Sequence, residues 1–254
     1  MTSKITSNTN TDEPANWPDS RIIKHLESLR SESTALDEYM RRTEFRVDRQ
    51  KNLLRLAVDL LRQPHVAVID LEATCYDNEA DQDAYKNEVI EIGWALLDIP
   101  SMKVIDRKQL YVRPTTSYVS PFCTQLTGIR PEQVAQAPSF VEAMAELAMW
   151  HTGHVRGPIT IWGSYGEYDC RQLQRQCAAE GLPYPLASSR HFNIKEAAGA
   201  FFGFGKKSPG LMKAIGKAGL QFEGQHHSGV DDAVNAARVL AHILTATIGD
   251  EAGA

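Results

Sequence analysis

The chain has 254 residues, 43% of them hydrophobic and 23% charged, which suits one catalytic-sized domain with a buried core plus an extension. Its longest apolar runs, such as Ile92–Ile99, are far too short to cross a bilayer. The formal charge of −5 argues against the broad basic surface of a sequence-specific duplex binder, and leaves open a site whose positive charge comes from bound cations.

Residues 1–20 are rich in Ser, Thr, Asn, Asp and Pro and read as a disordered tail without the apolar stretch of a secretory signal. The four cysteines, Cys75, Cys123, Cys170 and Cys177, show neither CxxC pairing nor zinc spacing and read as reduced thiols of a cytoplasmic protein. Residues 21–63 predict a helical arm, since Arg21 to Arg62 contain neither Pro nor Gly. Alternating steps of four and three pick out Ile22, Leu26, Leu29, Ser33, Leu36, Met40, Thr43, Val47, Gln50, Leu54, Ala57 and Leu61, nine of twelve apolar. Two readings stand: one or two amphipathic helices packed on the domain, or a coiled-coil arm that joins a second copy or another protein. The basic run Arg41, Arg42, Arg46, Arg49, Lys51 and Arg55 reads as a solvated face, with contact to nucleic acid the lesser alternative.

From Pro64 the pattern changes, and residues 64–248 read as one domain followed by a short tail at 249–254. Strands are predicted at Val66–Leu71, Glu88–Asp98, Lys103–Val112, Pro158–Trp162 and Arg190–Asn193. Helices are predicted at Ser139–Trp150, Glu167–Glu180 (ending at Gly181), from the Ser208-Pro209 start signal, and from Gly229 to Thr247. Three meandering strands followed by alternating helices and strands imply a mixed α/β sheet.

The chemistry lies in the acids. Along the first strand Asp70 and Glu72 fall on one face and Leu71 on the other. Two neighbouring carboxylates at the end of an apolar strand repel unless a cation sits between them, and hard divalent ions take such oxygen ligands. Alone, the pair also fits an ordinary strand end with exposed acids. Asp169 opens a helix after the fourth strand, where it could equally serve as a helix-start residue; it is better placed than Glu167. His227 and Asp232 flank the start of the last helix, a mobile base beside a firmly held acid, although a His pair before an Asp pair also fits a capping segment. His226 and His227 do not read as a zinc pair, because adjacent residues rarely both reach one ion and no cysteine lies nearby.

With these residues the chain resembles the DEDDh 3′→5′ exonucleases (DnaQ-like, ribonuclease H-like fold), most of all the branch that trims small interfering RNA and histone messenger RNA 3′ ends. The resemblance runs from Val66 to Leu244 on Asp70–Cys75 (DLEATC), Glu88–Gly93 (EVIEIG), Phe122–Ile129 (FCTQLTGI) and His227–Asp232 (HSGVDD), in that order. It implies a five-stranded mixed sheet flanked by helices, preceded here by the arm. It further implies two Mg²⁺ or Mn²⁺ ions held by Asp70, Glu72, Asp169 and Asp232, with Asp70 bridging them and Glu72 serving catalysis as well as ligation. His227 would take the proton of the attacking water, and the product would be a nucleoside 5′-monophosphate. Ala73, Thr74, Cys75, Leu126, Thr127 and Gly128 would line the pocket of the terminal nucleotide, though Thr127-Gly128 also fits a plain turn. The implied partners are RNA or single-stranded nucleic-acid 3′ ends. Two departures stand out: the acidic segment 76–83, read as a lid or a solvated loop, and the extra residues around Tyr165-Gly166-Glu167. Lys206, Lys207, Lys213 and Lys217 either track phosphates or form a solvated face. The rival readings are a proofreading exonuclease acting on DNA, a non-catalytic nucleic-acid-binding scaffold on the same fold, and a coiled-coil adaptor.

Overall fold

The structure, a computed structural model, describes residues 19–153 and 157–251. Apart from Asp19 and Ser20, the tail expected at 1–20 lies outside the described residues, as do 252–254 of the tail expected at 249–254. In chain order come α1 (Asp19–Leu61), β1 (His65–Ala73), α2 (Glu79–Ala84), β2 (Val89–Asp98), β3 (Lys103–Tyr111), α3 (Pro121–Thr127) and α4 (Pro131–Ala135). They are followed by α5 (Phe140–Thr152), β4 (Ile161–Ser164), α6 (Tyr168–Ala179), β5 (Arg190–Asn193), α7 (Ile194–Phe201), α8 (Leu211–Lys217) and α9 (Gly229–Glu251).

The chain divides after Asp48 into two compact units. In the first, Leu26, Leu29, Leu36, Met40 and Val47 of the heptad stripe stand exposed on one helix. In the second, Leu53, Ala57 and Leu60 of the same helix are buried. Arg49, read from sequence as part of a solvated basic face, is instead enclosed. Its guanidinium donates to the carbonyls of Phe204 (2.9 Å) and Gly205 (2.8 Å) and to Ser208 Oγ (2.9 Å), and pairs with Glu196 at 3.0 Å.

The five strands form one mixed sheet in the order β3-β2-β1-β4-β5; the first three pair antiparallel, and β4 and β5 join in parallel. β1 and β2 are buried on both faces, which is why they read as near-continuous apolar runs, whereas edge strand β3 alternates exposed and half-buried residues. On one face Ile69, Leu71, Trp94 and Leu96 pack against Phe140, Ala143 and Leu147 of α5 and Leu173 and Cys177 of α6. On the other, Val66, Val68, Ala95 and Leu97 meet Ala233, Val234, Ala237 and Leu240 of α9. Full burial of each Val, Leu, Ile or Phe side chain among them is worth about 1.5–3 kcal/mol, so the two faces clamp β1 from both sides.

Several elements differ from the sequence expectation. β4 starts three residues later than Pro158 and carries Gly163 and Ser164 as buried strand residues. The helix expected from Ser208-Pro209 begins at Leu211 with Gly210 as its cap. The acidic segment is not loop throughout: Asn78 accepts from Asp81 N (2.8 Å) and starts the helical turn α2.

Candidate active site

The site lies where β1 outruns its parallel neighbour. β1 pairs with β4 only at Ala67 and Val68, while its antiparallel partner β2 follows it to Ala73. Past Val68 the β4 side of β1 is open, a crevice beyond the carboxyl end of a parallel strand. Asp70 and Glu72 occupy that stretch, and a bulge between Glu72 and Ala73 re-aims the strand there. Leu71 N–H has no β4 carbonyl to meet and donates instead to Asp169 Oδ1 at 3.0 Å, which anchors the first turn of α6 over the crevice. That bond distinguishes Asp169 from Glu167, whose carboxylate turns to Asn193 Nδ2 (3.1 Å).

From the opposite face comes α9. Gly93, the cross-strand partner of Asp70, leaves room for the helix: a Cβ there would meet Gly229 C at 1.9 Å. The close approach brings Asp232 over β1, so that ligand oxygens of Asp70, Glu72 and Asp232 lie within 4.8 Å of one another. His227 precedes the helix with φ +65°, a left-handed backbone rare outside glycine and of the strained kind that clusters at functional sites. Its N–H donates to Asp232 Oδ2 at 3.1 Å. Asp232 Oδ1 is buried without a hydrogen-bond partner, although its residue is only 6% exposed.

Gathering acids in this way perturbs them all in one direction. Burial pushes the Asp70 carboxyl well above its ordinary range, helped by the charges of Asp169, Asp232, Glu72 and Glu91. Burial, then Glu91 and Asp232, raises Glu72 to about 9. Burial also raises Asp169, to about 6 against the hydrogen bond from Leu71, and Asp232 against the nearby histidines. His227 moves the other way: burial and then His226 lower its pKa, outweighing Asp232, which favours a neutral imidazole. A pocket of mutually repelling carboxylates with an orphaned oxygen suits a hard divalent cation, which removes the repulsion and takes oxygen ligands.

The pocket residues expected from sequence separate. Ala73 and Thr74 are buried, and Thr74 Oγ1 accepts from Glu88 N at 2.9 Å. Cys75 is partly exposed, its carbonyl accepting from Ser120 Oγ at 2.7 Å. Leu126 is exposed on α3, Thr127 ends that helix with its hydroxyl on Cys123 O (2.9 Å), and Gly128 caps it at φ +76°. Thr127 and Gly128 line a polar cavity of about 450 Å³ with Glu91, Tyr111, Gln225, Ser228 and Asp231, at the N-terminal end of α9.

Sequence reasoning missed two acids. Glu91 faces Glu72 across the β1–β2 ladder, is 1% exposed, and accepts from Gln109 Nε2 (3.0 Å) and Val230 N (3.1 Å). Glu88 accepts from Thr115 N, Thr116 N and Ser117 N and from the hydroxyls of Thr115 and Ser117, so it holds the loop beside Thr74 and Cys75. The available signal was an acid inside an otherwise buried apolar strand, which survives only if it is hydrogen-bonded.

Against known proteins, residues 67–240 match the model of the Exonuclease family, RNase_T. The 3'-5' exoribonuclease 1 of Rattus norvegicus is 32% identical over 184 residues, covering 71% of this chain and 53% of its own length. The nuclease domain of 3'hExo, a DEDDh family member, bound to rAMP, superimposes with a TM-score of 0.64 at 29% identity over 73% of this chain and 94% of that one. A 3'-exonuclease in a structure of 3'-end specific recognition of histone mRNA stem-loop gives 0.64 at 27% identity, over 73% of this chain and 65% of that one. This chain therefore belongs to the RNase_T exonuclease family, and it spans about half the length of the curated relatives it matches.

Proposed function

We propose that the chain is a metal-dependent 3′→5′ exonuclease of the DEDDh type that removes nucleoside 5′-monophosphates from RNA or single-stranded 3′ ends. The observation that carries this reading is the convergence of Asp70, Glu72 and Asp232 within 4.8 Å, with Asp169 anchored on the same strand and His227 tied to Asp232. Asp70, Glu72, Asp169 and Asp232 are the residues that would hold two Mg²⁺ or Mn²⁺ ions. Such ions neutralise phosphate charge and make a water nucleophilic near neutral pH. Asp70, Glu72 and Asp232 would supply one oxygen set, and Asp169, tied to Leu71 of the same strand, would add the remaining carboxylate. His227, kept neutral by burial, is the group able to accept the proton of the attacking water. The polar cavity at Thr127 and Gly128 offers hydrogen-bonding groups for the sugar-phosphate end of the strand. The exoribonuclease relatives support RNA over DNA, and the free thiols support a cytoplasmic setting.

We also assign the exposed stripe of the first unit to self-association. Leu26, Leu29, Leu36 and Met40 repeat at heptad spacing, and a second copy supplies an equally long apolar stripe. Light scattering on the full chain and on Leu36→Glu tests this: a dimer that becomes a monomer is expected, and a monomeric wild type refutes it.

The activity test uses 5′-labelled, 3′-extended RNA and matched DNA with Mg²⁺ or Mn²⁺. A ladder shortening from the 3′ end, lost in Asp70→Asn and His227→Ala, is expected, and RNA should be the preferred strand. A folded, metal-supplied protein that shortens neither strand would point to a nucleic-acid-binding scaffold instead.

A further inference from the structure

We propose that His226, His227 and Asp232 form a site for a borderline transition-metal ion of the Zn²⁺ class, and that filling it withdraws the catalytic base. Adjacent side chains on an extended backbone point to opposite faces, so a His-His pair in sequence does not read as a chelate. Here the left-handed φ of +65° at His227 breaks that alternation. The two rings stand T-shaped, centroids 4.0 Å apart and planes at 77°. One ligand atom each from His226, His227 and Asp232 then lies within 4.8 Å of the other two. Phe222 packs on the His226 ring at 5.6 Å and steadies it. Asp232 supplies an oxygen that is buried and accepts no hydrogen bond.

Two imidazole nitrogens and one carboxylate oxygen form a three-ligand set of the kind that holds Zn²⁺ with a fourth position for water. Mg²⁺ prefers oxygen ligands and has no reason to settle there, so the set discriminates between the two ions by ligand type. Occupancy would tie up the His227 lone pair that otherwise accepts a proton, and would draw Asp232 away from Asp70 and Glu72. One loop would then answer two ions in opposite ways. Mg²⁺ supports turnover through the carboxylates, and Zn²⁺ halts it through the histidines. The inhibitory consequence rests on the exonuclease reading; the binding site does not.

The test therefore reads binding first. The metal-stripped 254-residue chain is titrated with Zn²⁺ by calorimetry and with Co²⁺ by visible absorption, for the wild type, His226→Ala, His226→Gln and Asp70→Asn. Circular dichroism confirms that each is folded. One high-affinity ion with a tetrahedral Co²⁺ band is expected in the wild type and in Asp70→Asn, and its loss in both His226 variants. Undiminished binding in the His226 variants, or loss of it in Asp70→Asn alone, overturns the proposal and places the ion on the carboxylates. A second arm adds one equivalent of Zn²⁺ to the Mg²⁺-supported assay. The wild type should stop and His226→Ala should continue, whereas equal inhibition of both overturns the regulatory half. No activity in Mg²⁺ alone would count against the exonuclease reading and leave the binding result standing.

Discussion

The sharpest consequence of the fold is carried by a residue with no side chain. Replacing Gly93 by Ala would set a Cβ 1.9 Å from Gly229 C, 2.1 Å from its oxygen and 2.2 Å from Val230 N. All three are backbone atoms, so no rotamer change relieves the contact. Ordinary carbon–carbon separation is about 3.5–4.0 Å, so β2 and the start of α9 must part by roughly 1.5 Å. Overpacking of this kind costs about 1–3 kcal/mol, and at about 2–4 °C per kcal/mol for a chain of this size the melting temperature should fall by roughly 2–12 °C. The activity loss should be larger in proportion, because the displaced turn carries His227 and Asp232 while Asp70 and Glu72 stay on β1. A misplacement of about 1 Å in a catalytic constellation costs on the order of 10²-fold. The assay pairs a thermal melt with single-turnover trimming of labelled RNA in Mg²⁺. Gly216→Ala serves as control, since a Cβ there meets nothing within 4 Å. A Gly93→Ala protein that melts with the wild type and trims within threefold of it would refute the idea that the helix's approach to β2 sets the site.

Two further predictions follow from the acids. Burial pushes the Glu88 carboxyl up, but the hydrogen bonds from Ser117, Thr115 and Thr116 outweigh it and hold the group below its ordinary value. Its stabilisation is therefore present above the unfolded value, near ~4.3, and lost as pH falls through the folded one. Glu88→Gln sets an amide N–H₂ against N–H and O–H donors and should cost about 1–3 kcal/mol in urea denaturation at pH 7, with the gap to wild type narrowing in acid. For Asp70, Glu72, Asp169 and Asp232 the sign is opposite, because all four folded values are raised. Metal-free stability from this cluster is full below the unfolded carboxyl values, near ~4, and is lost as pH climbs through about 6 for Asp169 and about 9 for Glu72. Divalent ions replace those protons, so the rise in melting temperature on adding Mg²⁺ should be greater at pH 9 than at pH 6. An equal rise at both, or one unchanged in Asp70→Asn, would remove the cluster as the metal site.

What the sequence disclosed followed the strength of its periodic signals. The near-continuous apolar runs of β1 and β2, the alternation of β3 and the long apolar face of α9 each extend over nine residues or more, and all stand where expected. The short helices α3, α4 and α7 offer only five to eight residues, too few for a periodicity. Their signals were local: Ser120 before Pro121, and Pro131 at the first turn of α4. β4 was misplaced because Gly163 and Ser164 look like the end of a strand. In the structure Gly163 is a strand residue beside Phe192, where a Cβ would meet its ring at 2.7 Å. The side-by-side placement of Asp70 and Glu72 needed only strand alternation. The pairing of His226 with His227 needed a backbone conformation that no local pattern encodes.

Glu91 shows how a chain of net negative charge keeps so many acids in one place. It sits opposite Glu72 in the ladder, buried, and would only add to the repulsion if it were another ligand. Its Oε1 instead accepts from Val230 N at the first turn of α9 and from Gln109 Nε2 on β3, so its charge is answered by a helix N-terminus and a side-chain amide. Burial still raises its pKa, and those hydrogen bonds oppose the rise. The same bonds tie β2 and β3 to the segment that delivers Asp232. Asp232, whose Oδ1 is buried without a hydrogen-bond partner, joins Asp70 and Glu72 in the set whose ligand oxygens lie within 4.8 Å of one another. Hydrogen bonding thus gives these acids different work: Glu88 and Glu91 spend their oxygens on protein donors and hold neighbouring segments in place, whereas Asp232 keeps Oδ1 unpaired beside Asp70 and Glu72.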